Sequence, residues 1–128
     1  MSGAWWIVAA VIVATHLALC AFLVIGGPVG VRRRNVAQVH MLCFVPVAII
    51  HVLGLDCPLT LAENWARQRA AGDAYDGGFI EHYLLQPLGL TPSPLASLAI
   101  GSAVLVPTAA ALLWRRFEMR DVPYAGAR

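Results

Sequence analysis

Four histidines and three cysteines carry most of the chemistry open to this chain. His16, His40 and His51 fall inside long apolar runs, and His82 falls in a polar stretch between two of them. Ionisable side chains at bilayer depth are costly and are functional candidates by default. Two imidazoles on facing helices can ligate haem axially. At about 1.5 Å of rise per residue, His16 lies ~18 Å from the basic end of its run, His51 ~24 Å and His40 only ~8 Å. His16 and His51 are therefore the better-matched pair for a cofactor, offset by ~6 Å. No CxxCH is present, so haem of the covalent c type is not expected. The plainer expectation is no cofactor, with neutral imidazoles hydrogen-bonded between helices. Histidine sheds its proton near neutral pH, and the neutral ring has one donor and one acceptor to satisfy.

A second group lies between the runs. Cys57, Glu63, His82 and Tyr83 could converge, with the cysteine as nucleophile, the histidine as base and Glu63 orienting the ring. The competing reading gives Glu63 a capping role and packs Cys57 at a helix exit. His82 with Asp76 and Glu81 makes a poor metal site, because adjacent residues on a helix do not face one another. Neither a CxxC pair nor a phosphate-binding glycine loop is present, so a zinc knuckle and a nucleotide site are not expected. Cys20 and Cys43, inside apolar runs, read as small hydrophobes.

The elements that must hold these residues follow from composition. Hydrophobic residues make up 59% of the 128, charged residues 12%, and mean hydropathy is +0.71. A soluble domain carries roughly 25% charge, so the bilayer is the expected solvent. The net charge is +2, every base is arginine, and the arginines cluster at the ends of apolar runs, which does not suggest nucleic-acid binding. Spans are expected at about residues 5–25, 36–55 and 95–114, each near the ~20 residues that cross a bilayer. The first exceeds a signal-peptide core and has no preceding base, so it is expected to stay as an uncleaved helix. Gly26-Gly27-Pro28 is expected to end it. Pro46 and Pro107 should kink the other two. Gly101-Ser102-Ala103 offers a small-residue face for close helix contact. Arg32-Arg33-Arg34 and Arg115, Arg116 and Arg120 mark the cytoplasmic side. The N-terminus is then outside the cytoplasmic membrane and the C-terminus inside, with residues 121–128 a short tail. Residues 56–93 lie outside with a net charge of −3.

That external segment reads as two short amphipathic helices. Thr60-Leu61-Ala62-Glu63 matches a capping box, with Pro58 just before it. A helix over residues 61–71, stopped by Gly72, would pair Glu63 with Arg67 at i, i+4 and put Leu61 and Trp65 on one apolar face. Tyr75-Asp76-Gly77-Gly78 reads as a turn. A second helix over residues 79–86 would present Phe79, Ile80, Tyr83 and Leu84 on one face, and Glu81 and His82 on another.

Cys57-Pro58-Leu59-Thr60, Glu63-Asn64, Tyr75, Gly78-Phe79 and His82-Tyr83-Leu84 together resemble the signature of a family of small bacterial membrane proteins known only as a domain of unknown function. The similarity takes in His16, Gly26-Gly27 and His40 and covers most of residues 10–110; His51 departs from it. The resemblance implies a membrane topology and brings no activity or cofactor. The expected architecture is an all-α membrane domain of three spanning helices with an external cap. The expected role is a non-catalytic accessory or scaffold subunit, packed in the lipid bilayer against other subunits or a second copy. A haem redox protein and a membrane enzyme built on the Cys57 cluster are the alternatives.

Overall fold

The computed structural model describes residues 2–91 and 93–118. Pro92, Arg120 and residues 121–128 lie outside that range. Among the described residues the fold is helical, with no strand: α1 (Ser2–Arg32), α2 (Arg34–Val52), α3 (Pro58–Arg69), a π-helical turn (Glu81–Leu85) and α4 (Pro94–Glu118). Three helices are long and apolar enough to cross a membrane, at Gly3–Arg32, Arg34–Val52 and Pro94–Trp114.

The first helix does not end at Gly26-Gly27-Pro28; it runs on to Arg32 with Pro28 inside it. Those glycines serve contact instead of termination. A Cβ at Gly26 would stand 2.5 Å from His40 Cδ2 on α2, and one at Gly27 would stand 2.9 Å from Thr108 Cγ2 on α4. Two adjacent positions on α1 thus admit two different helices, the close approach that small residues give to membrane helices. Arg33 alone separates α1 from α2, in extended backbone at φ −126°, ψ 110°.

The 31 residues of α1 outrun the 19 of α2. At about 1.5 Å per residue the excess is ~18 Å, and α3 packs along that overhang. Trp5 meets Trp65 edge-on at 5.0 Å, while Ala9, Ala66 and Ala70 are buried. The buried face of α3 is Thr60, Glu63 and Ala66, spaced three apart. Leu61 and Trp65, expected on one apolar face, are 54% and 47% exposed.

Both ends of α3 differ from expectation. It starts at Pro58, with Cys57 as its N-cap and no side-chain cap bond. Proline suits the first helical position because its missing N–H would be unpaired there anyway. Thr60 is then inside the helix and its Oγ1 has no partner, so the capping box does not form. At the other end the left-handed residue is Ala71, at φ 59°. The Gly72 N–H reaches back to the Arg67 carbonyl at 2.9 Å. Gly72 is small for a different reason: a Cβ there would come 2.6 Å from the Trp6 ring.

The small face on α4 is filled from within the chain. The His51 ring lies over Gly101, with Nε2 3.1 Å from the Leu98 carbonyl and 3.3 Å from Ser102 Oγ. His40 is fully buried, its Nε2 3.1 Å from the Leu23 carbonyl. Both histidines therefore tie α2 to a neighbouring span.

Candidate functional site

The segment between α2 and α4 builds its polar centre around Glu63. The α3 periodicity turns Glu63 inward to complete burial. Arg67, one turn on, donates from Nε to Glu63 Oε1 at 2.9 Å. Tyr83 OH donates to the same oxygen at 2.5 Å and accepts from Arg67 Nη2 at 2.5 Å. Tyr75 OH donates to Oε2 at 2.9 Å. All of these partners donate, so Glu63 acts only as an acceptor, as an ionised carboxylate does.

Local backbone devices aim the two phenols. Asn64 clamps the main chain of Tyr75 from both sides: Nδ2 donates to the Tyr75 carbonyl at 2.9 Å, and the Tyr75 N–H donates to Oδ1 at 3.2 Å. The short helix expected over 79–86 runs through residues 79–85, and residues 81–85 of it are a π-helical turn. The extra residue per turn widens the helix locally. His82 then stacks flat on Tyr75, with centroids 3.8 Å apart and rings 4° from parallel, while Tyr83 reaches Glu63. Glu81, expected on the face opposite the apolar one, is buried and accepts from Ser97 Oγ of α4 at 3.0 Å. Gly77 has φ +87° and sits against the Glu81 carboxylate, whereas a Cβ at Gly78 would meet nothing within 4 Å.

The electrostatics follow the bonding. Burial raises the pKa of Tyr75 and Tyr83, and their bonds to Glu63 raise it further, so both phenols stay protonated as donors. Burial works against the charge on Arg67, but its bonds to Tyr83 and Glu63 outweigh that and raise its pKa. Burial and then the nearby Arg67 charge lower the pKa of His82.

Beside this network lies a second polar contact. Cys57 Sγ is 3.7 Å from His16 Nε2 of α1. The His16 ring is buried and stacks on Phe79 at 3.9 Å, and Phe79 in turn packs on Tyr83 at 4.6 Å. The proposed four-residue cluster is therefore divided. Glu63 and Tyr83 come together, His82 joins them through Tyr75, and Cys57 takes its imidazole from α1 instead of from His82.

His16 and His51 are not brought together. With α1 reaching Arg32, both stand about 16–17 residues from the α1–α2 junction, so their depths agree better than expected. They face different neighbours, however: His16 turns to Cys57 and Phe79, and His51 to Leu98 and Ser102. Ser97 is not singled out in the sequence, and Asn64 only as part of the family signature, with no role given to it. The Asn64 clamp spans 11 residues and the Ser97 bond spans 16, which no local pattern signals.

No curated protein and no solved structure matches this chain. The family model described as a protein of unknown function, DUF2784, matches residues 6–118, a range that takes in all but the first residues of α1, both polar clusters and the remaining helices. With three helices long and apolar enough to cross a membrane, this chain is a small membrane protein belonging to the DUF2784 family.

Proposed function

We propose that the protein is a non-catalytic accessory or scaffold subunit of the cytoplasmic membrane. Its N-terminus is outside, its C-terminus is cytoplasmic, and residues 56–93 form an outer platform. One observation carries this reading. Only 17%, 11% and 11% of the three span windows are buried within the chain. Lipid covers such faces, and so do other helices; with no hydrophobic drive between helices in lipid, close packing of complementary faces decides association. The platform supports the same reading, because its central carboxylate is wholly engaged in holding Arg67, Tyr75 and Tyr83. Orientation rests on Arg32, Arg33 and Arg34 at the α1–α2 junction, since basic residues stay on the cytoplasmic side.

Photo-crosslinking in native membranes tests the role. A photoreactive residue at Leu42 or Val106, which are 76% and 64% exposed, should give a discrete protein adduct at fixed stoichiometry, from a second copy or another subunit. Adducts with lipid alone from both positions would refute it.

A further inference from the structure

Cys57 and His16 are joined by geometry that the scaffold reading does not use. The sulfur lies 3.7 Å from His16 Nε2. The ring is held in place by stacking on Phe79 and is only 6% exposed, yet its Nδ1 has no partner. Cys57 is also the N-cap of α3. The first bond of that helix runs from the Leu61 N–H to the Cys57 carbonyl. The N–H groups of Leu59 and Thr60 therefore point out of the helix end beside the thiol, without intrahelical partners. Thr60 is 5% exposed, and its hydroxyl also has no partner. A thiol and a fixed base thus meet at a helix N-terminus whose first-turn donors are unused.

We propose that Cys57 is an acyl-accepting nucleophile: His16 takes the thiol proton, and the first turn of α3 with the Thr60 hydroxyl receives the carbonyl oxygen of a fatty acyl ester. The sulfur attacks the carbonyl carbon as its proton passes to His16 Nε2. A carbon–sulfur bond forms, and the carbonyl electron pair moves onto oxygen, where the α3 donors meet it. The pair then returns, the carbon–oxygen bond to the alcohol breaks, and His16 gives its proton to the leaving alkoxide. The products are S-acylated Cys57 and a free alcohol, with no oxidant or reductant. Two features select this chemistry. Thiol–disulfide exchange would use the backbone donors only to stabilise the thiolate and develops no charge on oxygen for the Thr60 hydroxyl to meet. The neighbouring Leu53 and Leu55 are 63% and 57% exposed, an apolar margin suited to a fatty chain. The site stands whether or not the chain is an accessory subunit.

The test uses the full chain in detergent with Cys20→Ser and Cys43→Ser, so that Cys57 is the one thiol, and two probes, p-nitrophenyl laurate and iodoacetamide. Intact mass should show one laurate per chain, released by neutral hydroxylamine and mapped to Cys57. His16→Gln should slow both reactions about 100-fold, the lower range for a general base. Thr60→Val should slow acylation about 10-fold or more and leave alkylation unchanged, because only acylation builds an oxyanion. No acyl adduct on Cys57, unchanged rates in a folded His16→Gln, or equal rates of acylation in Thr60→Val and its parent would each overturn the proposal. Where His16→Gln does not fold, the Thr60→Val comparison decides.

Discussion

Replacing Glu63 with glutamine separates the buried network from a helix cap. A cap tolerates glutamine, since glutamine serves in the capping box as glutamate does. The observed site does not. Oε1 accepts from Arg67 and Tyr83, and Oε2 accepts from Tyr75. The amide would keep its oxygen toward Arg67 and turn its nitrogen toward Tyr75, whose hydroxyl can rotate to accept. Hydrogen bonding is then largely kept, and the loss is the negative charge beside a guanidinium. Removing one partner of a buried pair costs ~3–5 kcal/mol. Because Arg67 is 20% exposed and water meets part of its charge, the expected loss falls to about 2–3 kcal/mol. Unfolding in mixed micelles titrated with SDS, followed by tryptophan fluorescence, measures it. The Arg67→Met background should recover much of the loss, with a coupling of about 1–3 kcal/mol in the double-mutant cycle. A Glu63→Gln protein within about 0.5 kcal/mol of its parent would refute the network, since that is the ordinary scatter of surface changes.

The same unfolding assay reads several other outcomes. Thr60→Val should be neutral or stabilising, because the hydroxyl bonds nothing; a loss of about 1 kcal/mol would restore the cap. Gly26→Ala should cost about 1–3 kcal/mol by overpacking against His40, whereas Gly3→Ala, with nothing within 4 Å, should be near neutral; equal effects would count against close helix contact at Gly26. His82 is held below its ordinary value of 6.5, so the unfolded chain takes up its proton first as pH falls. Its contribution to stability is complete above that value and is lost as pH drops through it toward the lower folded value. His82→Phe should flatten that acid slope, and an unchanged slope would place its origin elsewhere. A reporter active only outside the membrane should work after Gly72 and fail after Arg120; activity at both positions would rule out three spans.

The spans were legible because a bilayer imposes one length and one polarity on whatever crosses it, and both are properties of a single run of residues. The Glu63–Arg67 pair was legible because i, i+4 neighbours meet on any helix. Positions where two arrangements share one local pattern were misread. Gly26-Gly27-Pro28 serves as a helix end or as a packing surface, and the choice lies with His40 and Thr108, which arrive from other helices. Thr60 and Glu63 suit a capping box or the interior of a helix begun by Pro58, and the choice lies with the burial of Glu63 among Tyr75, Tyr83 and Arg67. Cys57 and His16 are 41 residues apart and lie on different helices. Their meeting depends on α1 being long enough to overhang α2, so that α3 folds down along it. Chain composition fixes which segments enter the membrane, a one-dimensional matter of transfer energy. Which side chains touch is a matter of three-dimensional packing, where a missing Cβ on one helix is explained only by the side chain of another.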